Sequence, residues 1–214
     1  MLRPRLILVF ALVQMVSYAT AQDTVFVSCW SGKNSEIYRS RNVKGPVISS
    51  TTGERAYVTV SASATGGGCS NVTKLLVAPQ AGEFRKVFEA RPIKAHDGNG
   101  MRLIGWNRSG TKLMAELGRF TYGTDVGMDR EIVVYETIAK KVSHIDVEAV
   151  LAKYFGADCA FEFETRAWHE PDGAVVAAGE YKDVEGNNVK SCVQRTTRLI
   201  VNLSTGAVTV VPGR

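Results

Sequence analysis

A repeated order of turns and strands is the feature of the sequence that most constrains the fold. In three segments a turn is followed by an alternating apolar strand, a polar gap and a second apolar strand, and these turns end at Gly53, Gly110 and Gly173. The second strands are centred on the apolar triplets Leu75–Val77, Ile132–Val134 and Leu199–Val201. The turn glycine precedes the aligned triplet residue by 23 residues in the first two segments and by 27 in the third. A recurrence of this length indicates one structural unit used three times.

Each unit is interpreted as an antiparallel meander of short strands joined by tight turns. The expected strands are Arg55–Ala62, Thr73–Ala78 and Gly82–Ala90, then Thr111–Leu117, Arg130–Glu136 and Lys141–Ile145, then Ala174–Tyr181, Thr197–Leu203 and Gly206–Val211. The dipeptides Ser109-Gly110, Asp172-Gly173 and Thr205-Gly206 are expected to supply the positive φ angle that such turns need. The pattern therefore predicts an all-β chain.

Two of the turns resemble the blade signature of TolB-like and other bacterial WD40-like propellers, Trp-Ser-Pro-Asp-Gly followed by Lys and an apolar strand. Residues Trp168 to Gly173 match it with one extra residue, and Trp106 to Gly110 match it with Asn-Arg-Ser in the middle. The resemblance implies a small propeller-like array of three to four antiparallel β-meander blades. An irregular β-sandwich or barrel is the alternative, because hairpin turns recur in those folds too.

One short helix is expected before the third unit. Apolar residues at helical spacing are Val147, Val150, Leu151 and Tyr154. Ser143 with Asp146 three residues later predicts a capping box, and Gly156 is a typical C-terminal stop.

The N-terminus has the composition of a secretory signal. Arg3 and Arg5 precede an apolar run from Leu6 to Val16, and Ala19–Ala21 has the small-x-small form of a cleavage site. Eleven apolar residues cover only about half of the roughly 20 that a membrane span needs, so no transmembrane anchor is expected after cleavage. The predicted division is a signal peptide at residues 1–21 and a single β-repeat domain at residues 22–214, located in the periplasm or secreted.

Four cysteines are expected to form disulfides in that compartment: Cys29, Cys69, Cys159 and Cys192. None lies at C-x-x-C spacing and the three histidines are far apart, so no metal site is predicted. Pairing of sequence neighbours, Cys29 with Cys69 and Cys159 with Cys192, is favoured among the three connectivities, because Cys159 and Cys192 would lie at one end of the same sheet.

Composition and motifs exclude several classes of function. The 26 Lys and Arg residues are scattered among 21 Asp and Glu residues, and no concentrated basic face of the kind that binds nucleic acid is found. No Gly-x-Ser-x-Gly motif or phosphate loop occurs. No catalytic residue and no cofactor are therefore assigned.

One polar cluster is the candidate ligand-binding site, and it consists of Glu162, Glu164, Arg166, Trp168 and His169. On an extended strand the first four would face one side, with the two carboxyl-bearing residues about 6.5 to 7 Å apart at their Cα atoms. That separation is within reach of a glycosidase, but alternating charges, with Arg166 neutralising Glu164, are the normal appearance of a solvated sheet face, and this structural interpretation is favoured.

The leading functional hypothesis is an exported, non-catalytic β-repeat domain that binds a protein or cell-envelope ligand through its loops. One alternative is a small carbohydrate-active enzyme using Glu162 or Glu164. Another is a component of a larger propeller assembly whose blades close only with a partner, for which self-association is expected.

Overall fold

A computed structural model describes residues 24–27, 41–65, 68–94, 96–122, 128–156, 158–181 and 191–211. The predicted signal peptide and Cys29 lie outside the described residues. The strands are β1 (Arg41–Lys44), β2 (Ile48–Ser49), β3 (Arg55–Thr65), β4 (Gly68–Ala78), β5 (Arg85–Ala90), β6 (Asp97–Trp106), β7 (Lys112–Thr121), β8 (Asp129–Glu136), β9 (Lys141–Ile145), β10 (Phe161–His169), β11 (Gly173–Glu180), β12 (Thr197–Asn202) and β13 (Val208–Val210). One helix, α1 (Val147–Phe155), lies between β9 and β10.

The strands form three antiparallel sheets, each built from one stretch of the chain. In the first sheet β1 and β2 both pair with β3, which is followed by β4 and β5. The second sheet has the order β6-β7-β8-β9 and the third has the order β10-β11-β12-β13. The predicted all-β meanders and the single inserted helix are confirmed. None of the three sheets closes on itself among the described residues, so the barrel alternative is wrong.

The second and third sheets match each other residue by residue. Trp106 pairs with Leu113 as Trp168 pairs with Ala174, at the end of the first strand of each sheet. In both sheets the first strand bulges two residues before the tryptophan, at Ile104 and at Arg166. A shared bulge at the same position shows that the repeat seen in the sequence is a repeat of backbone structure.

Two of the three predicted turn glycines have the expected conformation. Gly110 and Gly206 have φ angles of 73° and 69°, in the left-handed region that favours glycine. Gly173 instead begins β11, and the turn before it contains a cis peptide bond between Glu170 and Pro171. The expectation for Asp172-Gly173 is therefore wrong, because Gly173 is a strand residue and does not have a positive φ angle.

The second sheet is the middle layer of the molecule and is buried on both faces. Along β7, Leu113, Ala115 and Leu117 belong to a hydrophobic core shared with the first sheet. Met114, the residue between Leu113 and Ala115, belongs to a second core, shared with the third sheet and α1. Side chains alternate between the two faces of a strand, so one strand serves both cores. Each fully buried Leu or Met side chain contributes about 1.5 to 3 kcal/mol by leaving water.

Helix α1 covers one end of the second core. Val147 and Leu151 are buried, whereas Tyr154, predicted on the same face, is 45% exposed. The N-cap is Asp146, whose carboxylate accepts a hydrogen bond from the backbone NH of Ala149 at 2.8 Å. Ser143 lies in β9, so the predicted capping box is wrong.

The predicted bond between Cys159 and Cys192 is present, with the two Cα atoms 5.5 Å apart. Cys69 is also disulfide-bonded, and its predicted partner Cys29 lies outside the described residues. In the part of the chain that the structure describes, no helix has the length and apolar character needed to cross a membrane.

Candidate functional site

Strand β10 carries the five residues that the sequence singled out, but it does not hold them together. Glu162 and Glu164 pair with Gly179 and Ala177 and face away from the second core. The bulge at Arg166 reverses the alternation, so Trp168 packs on the core face and donates from its Nε1 to the carbonyl of Gly105 at 2.7 Å. The expectation that Trp168 shares a face with the two glutamates is therefore wrong.

His169 ends the strand, seven residues from Glu162, which is about 24 Å along an extended chain. Trp168 lines a small cleft of about 180 Å³ at that end of the strand, together with Lys112 and Asp172. The structure thus brings Glu162, Glu164 and Arg166 together and separates them from the other two candidates.

A groove of about 570 Å³ runs along β10. Its small residues are Ala177 and Gly179. Its charged residues are Asp129, Arg130, Glu148, Glu162, Glu164 and Arg166, and its aromatic residues are Phe161, Phe163 and Tyr181. The groove is concave because alanine and glycine replace long side chains on β11, and its volume lies in the range of ligand sites.

Glu164 is fully engaged by two arginines. Its Oε1 accepts from Nη1 of Arg102 at 2.7 Å, and its Oε2 lies 2.6 Å from Nη2 of Arg166. The Arg102 side chain is only 8% exposed, whereas the side chain of Glu164 is 33% exposed. Both carboxylate oxygens of Glu164 are therefore engaged in ion pairs.

Buried charged side chains of the second sheet hold the backbone edge of β10. The carboxylate of Glu116 accepts a hydrogen bond from the NH of Thr165 at 3.0 Å. Nη2 of Arg102 donates to the carbonyl of Thr165 at 2.8 Å and lies 3.1 Å from Glu116. Arg130 donates to the carbonyl of Phe163 at 2.9 Å. These contacts replace the neighbouring strand that a sheet edge lacks, and they fix β10 against the second sheet.

The first junction uses neutral side chains for the same purpose. Asn71 on β4 accepts from the NH of Asn99 at 2.7 Å and donates to its carbonyl at 2.6 Å. Val25 and Met101 exchange both backbone hydrogen bonds beside it. Strands β6 and β10, the first strands of their sheets, are therefore anchored in equivalent ways.

Sequence reasoning missed these anchoring residues. Arg102 and Glu116 interrupt the otherwise apolar runs of β6 and β7, and a charge inside such a run is a signal that a partner must exist. The partners Glu164 and Thr165 lie some 50 to 60 positions further along the chain, where one strand pattern cannot locate them.

Three carboxylates around the groove have no counter-ion among the described residues: Asp129, Glu148 and Glu162. Partial desolvation, and then the neighbouring charges of Asp129 and Asp146, raise the pKa of Glu148. A second cleft, of about 480 Å³, adjoins the groove and shares Asp129, Arg130 and Glu148 with it. The groove thus has four carboxylates and two arginines in its lining, on a chain whose formal net charge is +5.

The chemistry that this arrangement supports is attraction of a positively charged group. Within the described ranges, no three His, Cys, Asp or Glu side chains are grouped in a way that could hold a metal ion. The aromatic rings of Phe161 and Tyr181 offer contact area to the apolar part of a cationic ligand. Comparisons of the chain with protein-family models, with curated proteins and with solved structures found no match.

Proposed function

We propose that the chain is an exported, non-catalytic binding module that receives a cationic protein segment or an amine-bearing envelope ligand in the groove along β10. The observation that carries this proposal is the set of carboxylates without a counter-ion, Asp129, Glu148 and Glu162, beside a concave surface. On a chain of positive net charge, such a concentration of negative charge attracts and orients a cationic ligand.

The scaffold of this proposal is a propeller-like array of meander blades. Its support is that successive sheets pack face to face in the same order, with the first strand of each later sheet anchored on the sheet before it. Export is supported by the disulfide between Cys159 and Cys192, since such bonds persist in oxidising compartments.

The binding strength should be modest and sensitive to salt. Each exposed ion pair is worth about 0.2 to 1 kcal/mol, so removing one carboxylate lowers affinity by up to about fivefold. Screening over about 10 Å at 0.1 M salt weakens the whole attraction.

The test is calorimetric titration of the purified protein with a hexa-arginine peptide, using hexaglutamate as the comparison ligand. We expect Glu148→Gln and Glu162→Gln each to weaken hexa-arginine binding by about threefold to fivefold. The matched control is Glu83→Gln, because Glu83 is an exposed glutamate outside the groove. Equal affinity in all three variants, or equal binding of hexaglutamate, contradicts the proposal.

A further inference from the structure

The three-sheet stack ends differently on its two sides. On the third sheet, Ala174, Val176 and Ala178 of β11 pack in the second core. The intervening residues Val175 and Ala177 face outward and are only partly buried, and neither belongs to a hydrophobic core of the described residues. This outward side, formed by Val175, Ala177, Gly179, Arg198 and Ile200, is called the open face below.

The open face is equivalent in register to faces that are buried in the other two sheets. In the third sheet Val175 pairs with Ile200. The equivalent pair of the second sheet is Met114 with Val134. Met114 and Val134 both lie in the second core, against the third sheet. In the first sheet Val58 and Val77 likewise face the second sheet. The repeat therefore presents a packing surface at its third sheet, and the residues of that surface belong to neither hydrophobic core of the described chain.

The opposite end of the stack is mixed in character. The outer side of β3 carries Tyr57, Thr59 and Ser61, and the residues of β4 opposite them are Leu76, Lys74 and Val72. Lys44 also lies over the ring of Tyr57 at 4.1 Å. The charges of Lys44 and Lys74 disfavour burial of this end against the open face, and polar groups on a terminal face help to keep a repeat protein soluble.

Charges on the open face are complementary to each other. Glu162 lies on β10 opposite Gly179, and Arg198 lies on β12 opposite Ala177. Both side chains are exposed, and neither has an ion-pair partner among the described residues. They are two strands apart, about 10 Å, and do not meet within one copy.

We infer that the cationic segment received by the groove is β12 of a second copy of this chain, in a two-fold dimer in which Arg198 of each copy pairs with Glu162 of the other. The inference rests on the proposed function through Glu162, Ala177 and Gly179, which belong to both the groove and the third sheet, whereas Asp129 and Glu148 lie on β8 and α1. A two-fold axis parallel to the strands, between β11 and β12, places β12 of one copy over β11 of the other. Sheets pack about 10 Å apart, and a long arginine side chain over Ala177 and Gly179 spans that space.

The dimer should be weak because the open face is small. The four strands have nine, eight, six and three residues, and at about 3.3 Å per residue and 4.8 Å per strand they cover roughly 400 Å² per copy. The total of roughly 800 Å² is in the range of weak, transient interfaces. We therefore expect a dissociation constant on the order of micromolar or weaker.

The experiment is sedimentation velocity on the purified protein over about 1 µM to 1 mM. We expect the mass to rise from monomer to dimer with concentration, and Ala177→Arg to abolish the rise because it places a charge at the centre of the interface. Thr59→Arg, the same change on the opposite end, should leave the dimer intact. Circular dichroism verifies that both variants are folded. A wild-type protein that stays monomeric, or a dimer that Ala177→Arg does not affect, overturns the inference.

A charge exchange tests the ion pair itself. Glu162→Arg and Arg198→Glu should each weaken the dimer about fivefold or more, and the double variant should recover most of the affinity. A double variant that is weaker than either single one overturns the pairing.

The inference and the proposed function fail in different ways. Below its dissociation constant Arg198→Glu is a monomer whose three unpaired groove carboxylates are unchanged, and hexa-arginine should still bind to it. If the wild type is monomeric but binds hexa-arginine through Glu162, the inference is wrong and the proposed function stands. If the Arg198→Glu monomer does not bind hexa-arginine, the proposed function is wrong.

Discussion

Replacing Glu116 with alanine should be among the most damaging single changes in this protein. The Glu116 side chain is 6% exposed and contacts Arg102, which is itself buried, and the backbone NH of Thr165. Its removal leaves the Arg102 guanidinium with one carboxylate, that of Glu164, and leaves the NH of Thr165 without an acceptor. Breaking a buried ion pair by removing one partner costs about 3 to 5 kcal/mol. We expect a loss of about 4 kcal/mol, a large share of the roughly 5 to 15 kcal/mol that stabilises a typical domain.

Urea unfolding followed by circular dichroism measures this loss. Glu89→Ala is the control, because Glu89 pairs with Lys86 and Arg91 at the surface, and it should leave the midpoint unchanged. The combination of Arg102→Met with Glu116→Leu should be less destabilised than Glu116→Leu alone, since no unpaired charge is then buried. A loss below about 1 kcal/mol for Glu116→Ala refutes the view that this network fixes β10.

Three further outcomes are expected. Glu148→Gln should raise the melting temperature at pH 7, because the raised pKa of Glu148 means that its ionisation opposes folding. This gain in melting temperature should shrink as the pH falls and vanish below about pH 4, where Glu148 is protonated in both the folded and the unfolded state. Cys192→Ser should lower the unfolding free energy by about 4 kcal/mol, because the bond to Cys159 closes a loop with a sequence separation of 33, and reductant should abolish the difference from wild type. Gly110→Ala should cost about 1 kcal/mol in thermal unfolding, since φ at Gly110 is 73°, and an unchanged melting temperature would contradict this.

The local parts of the fold could be predicted from sequence, because they depend on residues close together in the chain. The strand Lys141–Ile145 has the bounds that its apolar pattern indicates, and Gly156 ends the helix as expected. The stacking of the sheets could not be predicted in the same way. It depends on contacts such as that between Arg102 and Thr165, which are 63 positions apart.

The candidate site was predicted in part. Glu162 and Glu164 face outward as strand alternation predicts, but the alternation holds only up to Arg166. A bulge inserts one residue there and moves Trp168 to the core face, and no side-chain pattern announces it. The segment Asp97–Gly100 contains two glycines, yet it begins β6, and Asn99 is 1% exposed. Its glycines suit a strand whose neighbours approach closely, since Gly100 lies against Val25 and Phe26.

The occupied edges of β6 and β10 also bear on aggregation. A strand with free NH and carbonyl groups can template another chain, and β10 contains four residues of types that favour β structure, Phe161, Phe163, Thr165 and Trp168. At β10 the groups of Thr165 already bond to Glu116 and Arg102, and at β6 those of Asn99 already bond to Asn71. Each junction between sheets therefore also blocks edge-to-edge growth of fibrils. A variant that loses Glu116 should be prone to polymerise as well as less stable.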